Sequence, residues 1–248
     1  MIYKGHFFSK TDVGRVRVTN EDQATVITNF RGEVLMVVCD GMGGQNKGDY
    51  ASKVAIDHLT ECFENKRKMS VFFSRLWLAK VIKEANAIIY NEAQKHKSYQ
   101  DMGTTCVAVL IQGERLIVAN LGDSRAYSFG PSGLMRLTRD QTYVDYLVRS
   151  GQMEERDRNS SPERHVLMNA LGVYPSASLD IETRKYRGET ILLCSDGLYN
   201  NVSEPEIRAV LSTSDRVDQK VLALIGDANA NGGSDNVAIA LWEAVTND

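Results

Sequence analysis

Val34-Leu35-Met36-Val37-Val38-Cys39-Asp40-Gly41-Met42-Gly43-Gly44 carries an unbroken apolar run straight into a carboxylate and a glycine-rich turn. Six consecutive apolar residues, three of them valine, suit a strand buried on both faces. Upstream, Asp22 to Thr28 has the same character, and Asn29-Phe30-Arg31-Gly32-Glu33 between them reads as a turn. The two runs therefore predict a hairpin whose second arm ends at Asp40. A carboxylate fixed at the rim of a buried strand is costly unless something positive lies beside it.

The same arrangement recurs along the chain. Asp123 follows the run Leu116 to Gly122, Asp196-Gly197 follows Ile191 to Ser195, and Asp235-Asn236 opens Val237 to Trp242. Hard divalent cations prefer oxygen ligands of this kind. The pattern predicts a metal cluster assembled from distant parts of one chain. Two further hairpins are expected, Thr104 to Ile111 with Arg115 to Leu121, and Ala126 to Phe129 with Leu134 to Leu137. Between the first two hairpins, Tyr50 to Phe63 predicts a helix burying Ala51, Val54, Ala55, His58, Leu59 and Cys62. Leu76 to Ala93 predicts another, with Leu76, Ala79, Ile82, Lys83, Asn86, Ile89, Tyr90 and Ala93 on one face, whose polar interruptions suggest partial burial. Ser203 and Glu206 form a capping-box signature for a helix through Leu211, and Val217 to Asn229 reads as a last helix. Hairpins interleaved with helix pairs, without regular βαβ alternation, favour antiparallel sheets covered by helices, an α+β fold. No linker or repeat divides the chain, so residues 1–248 are expected to form one domain.

With 248 residues, 43% of them hydrophobic, the chain can bury a large core. Net charge is −3 and the pI is about 5.9, which offers no basic field for nucleic acid or an anionic membrane. No apolar stretch is long enough to span a bilayer, and Met1 to His6 lacks the apolar core of a secretory signal. Cys39, Cys62, Cys106 and Cys194 show no paired spacing and read as small buried fillers in a reducing compartment. A cytoplasmic, monomeric, soluble protein is expected.

Each acidic corner has an ordinary explanation when taken alone. Arg17-Val18-Thr19-Asn20-Glu21-Asp22 offers an Arg near carboxylates, as a phosphoryl-handling site needs, or an exposed Arg with local caps. Asp40-Gly41-Met42-Gly43-Gly44 is a metal corner or a plain strand-to-helix turn; it lacks the Lys-Ser/Thr end of a P-loop and the spacing of a dinucleotide fingerprint. Gly122-Asp123-Ser124 is also a common hairpin corner. Five such constellations in this order form a far more specific signal than any one.

Together they resemble the metal-dependent protein phosphatases of type 2C, in particular the compact bacterial serine/threonine phosphatases. The matching motifs are Arg17-x-x-Asn20-Glu21-Asp22, Asp40-Gly41-Met42-Gly43-Gly44, Met102-Gly103-Thr104-Thr105, Gly122-Asp123-Ser124-Arg125-Ala126-Tyr127, Leu137-Thr138-Arg139-Asp140, Ala170-Leu171-Gly172, Ser195-Asp196-Gly197-Leu198 and Gly233-Ser234-Asp235-Asn236. They span Thr11 to Trp242. The resemblance implies a four-layer αββα sandwich with a dinuclear metal site at one edge. It also implies roles: Asp40 bridges two metals, Gly41 offers a carbonyl, Asp196 and Asp235 complete the other metal, and Asp22 acts through water. Asp123 with Asp196 would hold a third ion, and Arg17 would bind substrate phosphate. The implied reaction is hydrolysis of phosphoserine and phosphothreonine by direct attack of a hydroxide bridging two Mn²⁺ or Mg²⁺ ions, opposing a Ser/Thr kinase.

Relatives often carry a His after Asp-Gly or after the following Gly-Gly; here those positions are Met42 and Gln45. Neither can protonate a leaving group at neutral pH, which leaves water as the acid. Likewise Asp140-Gln141-Thr142 stands where relatives often have Asp-His-Ser. His58 is expected to be packed and His6 and His96 peripheral, while His165, after the charged stretch Glu154 to Arg164, is expected on the surface with an approach to substrate as the alternative. Tyr143 to His165 matches the flap of bacterial relatives and reads as a solvated polar loop that can also gate access. The competing classes are a catalytically weak phosphatase fold acting as a regulatory or binding module, and a hydrolase of small phosphate esters.

Overall fold

The structure, a computed structural model, describes residues 2–43, 47–95, 99 and 101–245. Gln45 and His96 lie outside these residues. Eleven strands, labelled in chain order, form two sheets among the described residues: β1 (Gly5–Asp12), β2 (Asp22–Thr28), β3 (Val34–Met42), β4 (Gly103–Thr104), β5 (Cys106–Gln112), β6 (Arg115–Leu121), β7 (Arg125–Gly130), β8 (Gly133–Arg136), β9 (Asp180–Lys185), β10 (Thr190–Cys194) and β11 (Val237–Ala244). One sheet runs β2-β3-β5-β6-β9 with β4 attached to β3, the other β1-β11-β10-β7-β8. Every pairing is antiparallel. The α-helices among the described residues are α1 (Gly48–Glu64), α2 (Val71–Lys95), α3 (Tyr143–Arg149), α4 (Asp196–Tyr199), α5 (Glu204–Leu211) and α6 (Val217–Ala230).

Three buried apolar layers define the stacking. Alternate residues of β3 point to opposite faces, so Leu35, Val37 and Cys39 pack against α1 and α2, while Met36 and Val38 pack against the second sheet. The facing strand β11 sends Ala238, Ala240 and Trp242 into the inter-sheet layer. Its other face, Val237, Ile239 and Leu241, packs under α5 and α6. The architecture is the αββα sandwich expected. Because apolar residues are buried on both faces, the runs around β3, β5 and β11 show no alternation in the sequence.

Several local expectations needed revision. The buried face of α2 is Ser74, Leu78, Val81, Ile82, Ala85, Asn86, Ile89 and Ala93. Leu76 is 46% exposed, and Lys83 and Tyr90 are not buried. Phe72, Phe73 and Leu76 supply a second, exposed apolar stripe, so periodicity alone could not choose the inner face. On α1, Ile56 and Phe63 are buried whereas Val54, His58 and Cys62 sit half-buried on the shoulder facing α2. Two strands carried no clear signal, β1 and β9. Both are edge strands with polar residues on the open face, which blurs the apolar pattern.

Candidate metal centre

Strand pairing alone brings the first two carboxylates together. In the β2–β3 register Asp22 lies directly opposite Asp40. The main chain of Asp40 is gripped from β4–β5: its N–H donates to Thr105 Oγ1 at 2.9 Å, and its carbonyl accepts from the Thr105 N–H and the Thr104 hydroxyl, both at 2.9 Å. Beyond it, Gly41 is required by space. A Cβ there would stand 2.3 Å from the Gly48 carbonyl oxygen and 2.4 Å from that of Glu21. The turn therefore folds tightly onto the start of α1.

The remaining carboxylates arrive from the second sheet and its connections. Asp123 sits on the turn between β6 and β7, where Gly122 adopts φ +104° and its absent Cβ leaves room for Thr105. Thr105 and Ser124 share a hydroxyl–hydroxyl hydrogen bond of 2.7 Å that locks this turn to the Asp40 segment. Asp196 opens α4 directly after β10, and Asp235 precedes β11. Asn236 ties these parts together. Its Oδ1 accepts the Glu21 N–H at 2.8 Å, and its Nδ2 donates to the carbonyls of Val13 and Thr19, each at 2.9 Å. That clamp holds the Arg17 segment against the Asp235 corner.

The result is an open cavity of about 1220 Å³, whose wall includes Arg17, Asp40, Gly41, Asp123, Asp196 and Asp235. Asp22 is the exception. It is 1% exposed, lies behind Asp40 and does not line the cavity, and its Oδ2 has no hydrogen-bond partner. Burial, followed by the charges of Asp196 and Asp235, pushes the Asp22 carboxyl up to about 7. Burial and Asp235 push Asp196 to about 6. Asp40 is driven well above the ordinary carboxylate range by burial and then by Asp22, and Asp123 by burial and then by Asp196. The cluster thus carries a surplus of negative charge that its protein neighbours do not offset. Arg17 donates to Asp235 Oδ2 at 2.9 Å, but its side chain is 54% exposed and reaches only the outer edge. An unpartnered buried oxygen and an all-oxygen donor set fit hard divalent cations such as Mg²⁺ and Mn²⁺.

Around this centre lies a second, balanced layer. Asp140 receives a two-pronged hydrogen bond from Arg125 at 3.2 and 2.8 Å and also pairs with Arg136. Arg125 stacks over the Tyr199 ring at 3.4 Å, and the Tyr199 hydroxyl donates to the Asp123 carbonyl at 3.1 Å. The segment expected to be a solvated loop is indeed exposed over Glu154 to Asp157, but it carries short helical elements. Thr142 caps α3 by accepting the Asp145 N–H, and a 3-10 turn, Glu155–Ser160, follows. Arg158 in that turn pairs with Asp145 and reaches Asp140 at 3.5 Å, which anchors the flap to the layer behind Asp123.

His165 is exposed, as expected, yet also reaches the site, the alternative the sequence left open. It lines the cavity, with Nδ1 3.9 Å from Asp196 Oδ2, and burial, then Arg164, pulls its pKa below the ordinary imidazole value. Linear spacing could not reveal this, because the flap folds back over the site. Met42 also lines the wall, without a proton to give. The residues that sequence reasoning overlooked are Asn236, Thr105 and Tyr199; the first two sat inside recognised motifs without an assigned role.

Comparison with known proteins accords with this geometry. The chain is 35% identical over 240 residues to the serine/threonine phosphatase stp of Listeria monocytogenes, covering 96% of this chain and 95% of that one. The serine/threonine phosphatase of S. agalactiae superposes with a TM-score of 0.92 at 31% identity, covering 98% of this chain and all of the other (100%). The catalytic domain of the serine/threonine protein phosphatase PstP, solved in complex with two manganese ions, superposes at 0.83 with 30% identity, covering 98% and 99% of the two chains. The family model for protein phosphatase 2C matches residues 15–225, the span that carries Arg17, Asp22, Asp40, Asp123 and Asp196. The chain therefore belongs to the protein phosphatase 2C family.

Proposed function

We propose that the chain is a metal-dependent serine/threonine protein phosphatase, with residues 1–248 acting as one catalytic domain. The observation that carries this reading is the surplus of buried carboxylate around one open cavity, where Arg17 reaches only the edge and Arg125 is already committed to Asp140. Asp40, the Gly41 carbonyl, Asp196 and Asp235 would hold two ions, with Asp22 supporting them from behind Asp40. Asp123 with Asp196 would hold a third. Mn²⁺ or Mg²⁺, when bound, activates water as a nucleophile and offsets charge on phosphate oxygens.

The chain's own residues supply the rest. Arg17 donates to Asp235 at the cavity edge. Its planar fork could hold two phosphate oxygens if Asp235 were instead engaged by a cation. Its high exposure lets it swing toward substrate at low cost. Thr105, Ser124 and Asn236 keep the carboxylate-bearing turns in register, so the site needs little reorganisation as charge develops. Met42 cannot donate a proton, and His165 is held toward its neutral form, so water protonates the departing serine or threonine oxygen. The flap around residues 143–165 borders the opening through Arg164 and His165 and is placed to contact the phosphopeptide.

We further infer a monomer that opposes a Ser/Thr kinase in the cytoplasm. No helix among the described residues is long and apolar enough to cross a membrane, and the relatives above are named serine/threonine phosphatases. The test is Mn²⁺-dependent release of phosphate from a phosphothreonine peptide and from an aryl phosphate. EDTA and Asp235→Asn should each abolish it. Wild-type inactivity with metal present would point instead to a regulatory module, and activity on the aryl phosphate alone to a small-ester hydrolase.

A further inference from the structure

Away from the carboxylate cavity, α1 and α2 bring together three side chains with metal-ligand chemistry. His58 and Cys62 are four residues apart on α1, so both project from one face of the helix. Glu84 meets them from α2. His58 Nε2 lies 3.7 Å from Cys62 Sγ and 3.7 Å from Glu84 Oε2. The three donor atoms all fall within 4.8 Å of one another. None of the three residues lines the cavity. We propose that His58, Cys62 and Glu84 form a second metal site, selective for Zn²⁺ over the Mg²⁺ or Mn²⁺ of the catalytic centre.

The donor set carries the selectivity. An imidazole, a thiolate and one carboxylate suit a borderline-soft ion, whereas Mg²⁺ and Mn²⁺ prefer oxygen alone. The spacing suits it as well. With Zn–N near 2.0 Å and Zn–S near 2.3 Å, tetrahedral ligands stand roughly 3.3–3.6 Å apart. The two 3.7 Å separations need only small side-chain adjustments to reach that range. Three protein ligands leave the fourth position to water.

The surroundings oppose binding only weakly. The Lys80 ammonium lies 3.5 Å from Glu84, but its side chain is 73% exposed, and such a pair is easily exchanged. Burial, then the charges of Glu84 and Glu61, raises the Cys62 thiol, with Lys80 acting against them. The neighbouring carboxylates favour a cation at this position. Binding joins the Cys62 sulfur, the Nε2 lone pair of neutral His58 and a Glu84 oxygen to the ion. The thiol proton leaves to solvent, and no redox change occurs.

Cobalt offers a readout that is independent of turnover. The full-length, metal-stripped protein titrated with Co²⁺ should develop thiolate-to-metal charge-transfer absorption. Zn²⁺ should remove it, while Mg²⁺ and Mn²⁺ should not. Cys39, Cys106 and Cys194 are fully buried, so the band reports Cys62. The band should vanish in Cys62→Ser and persist in Asp235→Asn. His58→Ala and Glu84→Gln should each weaken Zn²⁺ binding by about tenfold or more. Glu84→Gln alters a half-exposed position, so circular dichroism should show an intact fold for that variant. Absence of the band in the wild type, its survival in Cys62→Ser, or equal displacement by Mn²⁺ would each overturn the proposal.

Discussion

The two ends of the β2–β3 hairpin both bury carboxylates, and they treat them in opposite ways. At the turn end, Glu33 lies against Lys66 at 2.9 Å, whose side chain is 0% exposed. Asn29 adds a hydrogen bond at 2.7 Å and Arg31 a second ion pair at 3.2 Å. Burial alone would raise the Glu33 carboxyl, but the hydrogen bonds from Asn29 and Lys66 hold it below its ordinary value. At the open end, Asp22 and Asp40 face each other with no cation between them, and both are raised. A buried carboxylate with its charge matched inside the protein serves the fold. One left unmatched on a cavity wall waits for a cation from outside.

The contrast breaks most readily at Asp40. Asp40→Asn should lower Mn²⁺-dependent phosphopeptide hydrolysis by about 10³-fold, equivalent to roughly 4 kcal/mol of transition-state stabilisation. Its metal-free melting temperature should stay level or rise, because one of several mutually repelling charges is gone. Near-normal turnover would end the distinction between the two ends of the hairpin. Glu33→Gln should behave inversely. It leaves the Lys66 ammonium buried without its counter-ion, so chemical denaturation should show a loss of about 3 kcal/mol. Turnover per folded molecule should not change.

Smaller effects sharpen the same comparison. Mn²⁺ at about 100 times its dissociation constant should stabilise the wild type by about 2.7 kcal/mol, and Glu33→Gln equally. Asp40→Asn should gain much less, as differential scanning calorimetry would show. Acidity offers the gentlest probe. Asp22 and Asp196 bind their protons more tightly folded than unfolded, so the metal-free fold gains stability as pH falls through their folded values near 7 and 6. Between about pH 7.5 and 6.5 the gain should be at most about 1.4 kcal/mol per proton taken up. It should level off, fully retained, below about pH 4, where the unfolded chain is protonated too, and Mn²⁺ should suppress it. A metal-free protein that loses stability over that interval would contradict the unmatched-charge picture.

Most of the architecture was legible because its central strands are apolar on both faces and end in glycine or acidic turns. The helices at Tyr50 to Phe63 and Val217 to Asn229, and the capping box at Ser203 and Glu206, appear within a few residues of the expected bounds. What escaped were features whose signal depends on a neighbour. The edge strands β1 and β9 earn their place by pairing with β11 and β6. The inner face of α2 was ambiguous because two apolar stripes compete along it. His165 and Glu84 share the same difficulty, since each meets its partners across a fold-back or a helix interface that linear spacing does not encode.

By itself the sequence pointed to antiparallel sheets covered by helices and to an oxygen-rich cluster at Asp40, Asp123, Asp196 and Asp235, while the αββα order and the parts given to Arg17 and Asp22 rested on the resemblance to the type 2C phosphatases. The first are local properties: runs of apolar residues set strands, and several carboxylates at the ends of such runs form a signal that one alone does not. Tertiary structure alone decided that Asp22 stands behind Asp40 rather than on the cavity wall, and that Asn236 clamps the β1–β2 connection at three points. It also decided that His58, Cys62 and Glu84 meet. Such facts depend on register and packing angle, which arise from many weak contacts summed over distant residues. No short stretch of chain carries them.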